Sequence, residues 1–333
     1  MVIDAAAPTR IDLAGGTLDI APLYLLLEGG CTINLAITRY ARVRLEPARG
    51  IVLISEDTGD RAEAEHPRDL DVNGPLALVA RAVRFVRPPG GIKVTTRVEV
   101  PVGSGLGASS ALLVALLSAL ARWRGEEWEA PRLLQVAANL EAQVIRIPTG
   151  WQDFYAGYYG GVNLLTYGID GVTRQALKVR GGAKKLVERL VLCHAGASHQ
   201  SAVSNWAMLK GFIEGGETVG HLQRIRDTAA AMRNALVAGD WARFDALLNE
   251  EWENRRRLAP GVSTPEIERC LAAARSAGAT AGKVCGAGGG GCVVVVCEPA
   301  QRTVVEQAVT AAGAQVLPFE ASERGVTVTV TEK

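Results

Sequence analysis

The sequence predicts an α+β chain of two domains, on three observations. Strand-like and helix-like segments are mixed without the regular strand–helix alternation of a doubly wound sheet. A glycine-rich turn, Pro101–Ser110, passes directly into an uncharged apolar run. From about residue 176 the pattern changes from short strands to long helices. The 333 residues suffice for a large core, and length alone suggests about two domains. We place them at 1–175 and 176–333.

In chain order, Ala41–Leu45 and Ile51–Ser55 read as strands, and Ile92–Val100 alternates apolar and polar residues. The glycine turn comes next, then an apolar helix over Ser110–Arg122 and a second helix over Arg132–Ile145 that stops before Pro148-Thr149-Gly150. Gly157–Thr166 reads as strand and turn. Val191–Cys193 is a short strand. Helical patterns then cover Val219–Ala238, Trp241–Leu258 and Thr264–Ala277, the last with Pro265 in its first turn. Cys292–Cys297 is a β-branched run typical of a buried strand, Arg302–Ala312 is helical, and Val326–Thr331 alternates as another strand.

Composition narrows the function classes. Hydrophobic residues make up 48% and charged residues 21%, the balance of a folded globular chain. A net charge of +1 supplies no global field for nucleic acid or an anionic membrane, so any anion site must be local. The six cysteines are scattered without a Cys-x-x-Cys pair, which suits small buried hydrophobes in a reducing compartment. Val100–Ala121 carries no charge, yet only Ala111–Ala121 is continuously apolar, apart from Ser118. That is too short for a bilayer. Without a basic-then-apolar leader, the expected location is the cytoplasm. No nucleic-acid or membrane partner is expected, and a homodimer is compatible with the sequence.

The glycine turn carries the first chemical signal. Gly103, Gly105 and Gly107 let backbone amides approach an anion without an intervening Cβ. The helix that follows directs its free N–H groups and positive dipole end to the same point. Ser109 and Ser110 stand in its first turn, where a hydroxyl caps the helix or coordinates Mg²⁺. The alternative is a tight strand-to-helix turn with no ligand. No Walker A pattern is present. Gly286–Gly291 contains Gly-x-Gly-x-x-Gly but leads into a strand, which excludes a dinucleotide fingerprint.

Together these segments resemble a family. Pro101–Ser110, closing on Ala108-Ser109-Ser110-Ala111, is similar to the central motif of the GHMP kinases (galactokinase, homoserine, mevalonate and phosphomevalonate kinases), and Ala7–Gly16 and Gly286–Gly291 match the first and third motifs in order. The resemblance implies a two-domain GHMP kinase-like fold: an N-terminal mixed α/β domain of the ribosomal protein S5 domain 2-like type and a C-terminal ferredoxin-like α+β domain. It implies ATP and Mg²⁺ as cofactors. It places Pro101, Gly103, Ser104, Gly105, Leu106, Gly107, Ala108, Ser109 and Ser110 on the nucleotide. It makes Asp153 the catalytic base, Arg10 a cation at the transferring phosphoryl group, and Ser109 with Glu141 the metal ligands. Asp153 as a turn cap, Arg10 as a surface cation and Glu141 as a solvated helical residue are the competing structural readings.

Within the family the details resemble sugar kinases. Arg10–Asp19, Glu28–Ile37 and Trp151-Gln152-Asp153 look like segments of D-glycero-D-manno-heptose 7-phosphate kinases and L-fucokinase domains. The implied acceptor set is Gly15, Gly16, Thr17, Asp19, Gly150, Trp151, Gln152, Tyr155, His199, Gly288 and Gly289. Asp19 holds sugar hydroxyls on this reading, and Trp151 and Tyr155 either stack on the sugar or pack beneath the turn. Two departures stand out. Thr17-Leu18 precede Asp19 where heptose kinases read Gly-Gly-Gly-Thr-Asp, and His199 stands where they often place arginine, which opens the possibility of an unphosphorylated acceptor. The run Arg255-Arg256-Arg257 reads as a solvated helix face. The implied reaction is transfer of the ATP γ-phosphate to a hydroxyl, the anomeric one, of a heptose, heptose 7-phosphate or related small-molecule sugar. A fucokinase-type hexose 1-kinase is the alternative. A diphosphate decarboxylase of the same fold and a non-catalytic binding protein are the readings from other classes.

Overall fold

A computed structural model describes residues 1–196 and 201–332. The first half runs β1 (Val2–Ala14), α1 (Leu23–Leu26), β2 (Gly30–Pro47), β3 (Ile51–Ser55), β4 (Arg61–Ala64), α2 (Ala77–Val86), β5 (Ile92–Val98), α3 (Ala108–Trp123), α4 (Ala130–Ile145), α5 (Gln152–Tyr159), β6 (Val162–Gly168) and β7 (Gly171–Ala176). The second runs α6 (Gly182–Glu188), β8 (Leu190–His194), α7 (Ser201–Ile213), α8 (Glu217–Ala238), α9 (Trp241–Arg255), α10 (Pro265–Ser276), β9 (Ala281–Val284), β10 (Cys292–Val296), α11 (Arg302–Ala311), β11 (Gln315–Val316) and β12 (Thr327–Thr331).

Two sheets result. In the first, β1 runs antiparallel along one edge of β2, while β6 and β5 share the other edge at Gly30–Leu35 and Ala41–Pro47. β3 joins β5 in parallel and β4 closes that side. The second sheet has the order β11-β8-β10-β9, all antiparallel. The expected division at 175/176 falls at the end of β7, but β12 returns to the first sheet and pairs with β1 from Val2↔Thr331 to Ala6↔Thr327. The second stretch of chain therefore contributes a strand to the first sheet.

Burial explains the elements. In β10, Val293 and Val295 face α10 and α11, whereas Val294 and Val296 face α8 and α9; a strand covered on both sides reads as a continuous apolar run. The same cause hid half of β2. Ala41, Val43 and Leu45 alternate with exposed arginines, but Cys31–Ile37 is buried on both faces and shows no alternation. The α3 helix is apolar on every side because the sheet, α2 and α4 surround it. Each fully buried leucine there contributes on the order of 2 kcal/mol.

One expectation is corrected. Gly157–Thr166 is not all strand and turn: α5 continues to Tyr159 before β6 begins at Val162. Gly157 lets this aromatic helix lie against Ala111 of α3 and Pro8 of β1, a tertiary contact that outweighs local strand propensity. The segment leading to β12 then holds α5 in place. Val326 N–H donates to Tyr158 O, and Gly161 N–H to Ser322 O. No helix among the described residues is long and apolar enough to cross a membrane.

Candidate active site

A cavity of about 560 Å³ opens between the sheets, with the glycine turn at its middle. Gly103, Gly105 and Gly107 all take the left-handed conformation, with φ of 72°, 71° and 73°. Gly107 is the N-cap of α3, so the free amides of that helix open into the turn. Pro101, Gly103, Ser104, Gly105, Gly107, Ala108 and Ser109 line the cavity. Leu106 points into the core, and Ser110 is buried against Glu141.

The third glycine segment acts by backbone packing. Cys292 N–H donates to Ser104 O at 2.8 Å. A Cβ on Gly286 would meet Gly105 O at 2.9 Å, and one on Gly291 would meet Gly103 O at 2.7 Å. The segment thus buttresses the phosphate turn from the second sheet. Gly288 and Gly289 pack on Val262 and do not line the cavity.

Arg10 joins the turn to the acid. From β1 its Nε donates to Asp153 Oδ1 at 2.7 Å, and its Nη1 to Gly105 O at 2.6 Å and Cys285 O at 2.8 Å. Burial opposes its charge, but Asp153 and Asp12 outweigh burial and hold its pKa above the ordinary value. Asp153 lies in the first turn of α5. A Cβ on Gly107 would stand 2.9 Å from its Cγ, so the glycine is required for the acid to approach the turn. A chain of amides fixes that end of α5: Asn34 Nδ2 donates to Gln152 O at 3.1 Å, and Asn163 Nδ2 to Asn34 Oδ1 at 3.0 Å.

Glu141, on α4, faces the first turn of α3. Ser109 donates to it at 2.5 Å, Thr149 at 2.6 Å, and Ser110 to both oxygens at 3.1 and 3.2 Å. Burial pushes its carboxyl above the usual range, against these hydroxyl donors. One carboxylate and one hydroxyl, both hard oxygens beside a phosphate turn, fit Mg²⁺, which takes few protein ligands and fills its octahedron with phosphate oxygens and water. Among the described residues no group of three or more His, Cys, Asp or Glu side chains forms an all-protein metal cage.

Beyond Asp153 the cavity becomes acidic. Asp19 is 2% exposed, and its Oδ2 accepts the Gln152 backbone N–H at 3.0 Å. Burial, reinforced by Asp153 and Asp12, pushes its carboxyl up to about 6. Gly16, Thr17, Gly150 and Gln152 line the cavity with it. A Cβ on Gly150 would fall 2.2 Å from Asp19 Oδ2, so only glycine fits. Gly15 faces Cys31 O rather than the cavity. Trp151 and Tyr155 pack in the apolar clusters, with Tyr155 stacked on Tyr159 at 5.9 Å; packing is the reading the structure supports. His199 lies outside the described residues.

One group escaped sequence reasoning. Asp12, Glu251, Arg255 and Lys283 form a buried ionic cluster. Arg255 is not on a solvated face: its side chain is 1% exposed and pairs with Glu251 and Asp12. Lys283 lies 3.1 Å from Asp12 and 3.0 Å from Glu251. The two signals available were Asp12 on the same strand face as Arg10, and Glu251 four residues before Arg255 on a helix.

The model of the GHMP kinases N terminal domain matches residues 77–161, spanning the phosphate turn, Glu141 and Asp153. The GHMP kinases C terminal model matches 232–315, spanning Glu251, Arg255, Lys283 and the third glycine segment. The chain belongs to the GHMP kinases. As a GHMP kinase it is a phosphotransferase with ATP as donor, built on the two-domain fold of that family. It is 28% identical over 334 residues to the D-glycero-alpha-D-manno-heptose 7-phosphate kinase of Campylobacter jejuni, covering 97% of this chain and 98% of that protein. It is also 28% identical to the L-fucokinase/L-fucose-1-P guanylyltransferase of Bacteroides fragilis, covering 91% of this chain but 35% of that longer protein. The crystal structure of a D-glycero-D-manno-heptose 1-phosphate kinase from Bacteroides thetaiotaomicron superposes with a TM-score of 0.80 at 27% identity, covering 99% and 100% of the two chains.

Proposed function

We propose that this GHMP kinase phosphorylates a hydroxyl, the anomeric one, of a heptose or related sugar. The observation that carries the reading is the position of Arg10. One guanidinium reaches the phosphate turn at Gly105 O and the Asp153 carboxylate, at the boundary between the turn and an acidic acceptor end. Phosphoryl transfer needs positioning and charge neutralisation at that junction.

ATP lies with its phosphates on the Gly103–Gly107 amides and the start of α3. Its base extends towards Leu76, Val79 and Val98, at the other end of the cavity. The acceptor lies against Asp19, Gly150 and Gln152. Asp153 takes the proton of the attacking hydroxyl as the new oxygen–phosphorus bond forms, and ADP leaves with the electrons of the broken bond. Arg10 holds the carboxylate in place and offsets charge on the transferring group. Glu141 and Ser109 would hold Mg²⁺, which supplies neutralisation of phosphate charge when bound.

Among the described residues lining the cavity, the cations are Arg10 and Arg255, and both are already paired with carboxylates. That favours a free sugar over a 7-phosphate. The test is an ATP-coupled assay across free and 7-phosphorylated heptoses, fucose and galactose, with the product hydroxyl assigned by phosphorus NMR. The expected outcome is turnover of a free sugar at its anomeric hydroxyl. Turnover only with the 7-phosphate would overturn the free-sugar preference, and turnover with no sugar would overturn the reading.

A further inference from the structure

The first strand brings a second carboxylate to the acceptor end of the cavity. Asp12 stands two residues beyond Arg10, on the same face of β1, and is fully buried among cavity-lining residues. Its Oδ2 faces Lys283 Nζ at 3.1 Å and Arg255 Nη2 at 3.4 Å. Its Oδ1 has no hydrogen-bond partner. Gln152, also lining the cavity and 6% exposed, leaves its Oε1 without a partner too. Gly16 lies between them. A Cβ there would stand 2.3 Å from Asp12 Oδ2, 2.9 Å from Gln152 Nε2 and 3.0 Å from Arg255 Nη2.

A buried carboxylate left alone takes up a proton. Burial does push Asp12 that way, but Lys283, Arg255 and Arg10 outweigh it and hold the group below the ordinary carboxylate range. Glu251 balances the two cations, so the cluster is neutral without any ligand. It therefore has no spare cation to receive a substrate phosphate or carboxylate. Asp12 and Gln152, which both line the cavity, thus hold two acceptor oxygens lacking donors, and a buried acceptor without a donor is costly. A ligand presenting two O–H groups matches that deficit.

We propose that Asp12 is a specificity-determining residue of the acceptor site, its Oδ1 accepting from one sugar hydroxyl while Gln152 Oε1 accepts from a second. Lys283, Glu251 and Arg255 are positioning residues that hold Asp12 anionic and aligned. The occupant of this end is a neutral polyol segment. The inference rests on the sugar-kinase reading above.

The experiment uses the full chain with ATP, the best acceptor of the assay panel, and that acceptor's monodeoxy analogues. Asp12→Asn keeps the shape and removes the charge. We expect its kcat/KM for the acceptor to fall about tenfold to a hundredfold, the range for a hydrogen bond to a charged group, while the KM for ATP stays within about twofold. One monodeoxy analogue should lose a similar factor on the wild type and lose nothing further on Asp12→Asn. Equal losses on every analogue, as from a residue that meets only an internal water, would overturn the proposal. Gly16→Ala guards against a variant that fails to fold, since it intrudes between Asp12 and Gln152 without changing charge. It should raise the acceptor KM and spare that of ATP; an unchanged acceptor KM counts against the proposal. Sugar turnover with no response to Asp12→Asn overturns this inference alone, whereas a wild type that phosphorylates no sugar overturns both it and the reading beneath it.

Discussion

Asp19 is a carboxylate kept at a cost. Its pKa of about 6 in the folded chain lies above the ordinary aspartate value of 3.8, because burial disfavours the charged form. A carboxyl raised in this way binds more protons folded than unfolded, so it lowers stability as pH rises from about 4 through 6. We predict that Asp19→Asn raises the denaturation midpoint at pH 8 by the equivalent of about 3 kcal/mol and has little effect below pH 4, measured by urea titration at both pH values. The same variant should weaken acceptor binding. In the wild type, acidification through pH 6 should raise the acceptor KM as Asp19 takes up its proton, which a pH series of initial rates reads directly. Asp153→Asn should lower kcat by a factor on the order of 10² to 10⁴ while ATP binding, followed by calorimetry, is retained. These residues were legible because each stands in a local motif: Arg10 and Asp19 in the first, Asp153 after Gly150. Asp12 and Lys283 were not, because the partnership spans 271 positions and neither residue announces it locally.

Among elements, the glycine turn, α3 and α5 act as a unit. Gly107 caps α3 in the left-handed region, and the Asp153 side chain occupies the space a Cβ would take. Gly107→Ala should therefore cost on the order of 1–2 kcal/mol from backbone strain, yet reduce kcat far more than that loss alone implies, because the base is displaced. Thermal melts and single-turnover rates on the same preparation separate the two effects. An unchanged single-turnover rate would show that Asp153 has room elsewhere. The sequence expectation of Ser110–Arg122 lies within one to two residues of α3, since an uninterrupted apolar run after a glycine turn leaves little else possible. The buried half of β2 and the α5 helix were not legible. Both depend on being covered from two sides, and coverage is a property of neighbours far along the chain.

At the scale of the whole molecule, the two sheets meet over the Asp12–Lys283–Glu251–Arg255 cluster. Its members come from β1, β9 and α9, so it ties the first sheet to the second beneath the cavity. Lys283→Met leaves two buried carboxylates with one cation. We predict a loss of roughly 3–5 kcal/mol in guanidinium unfolding, larger than expected from any exposed ion pair such as Arg61–Glu63. A loss below about 1 kcal/mol would show that water reaches the cluster. A two-domain fold was readable in outline from the chain length and the change from short strands to long helices. The return of β12 was not, because an alternating strand carries no mark of which sheet it will join.

That return also has a consequence in time. Val2 finds its β12 partner at Thr331, after the whole second sheet has been made. At a ribosomal pace the interval is roughly a quarter of a minute to a minute. Through it, the Val2–Ala6 stretch of β1 presents an open strand edge, the kind to which another chain can add. How well that edge is shielded during synthesis sets the yield of working enzyme alongside the stability of the finished fold.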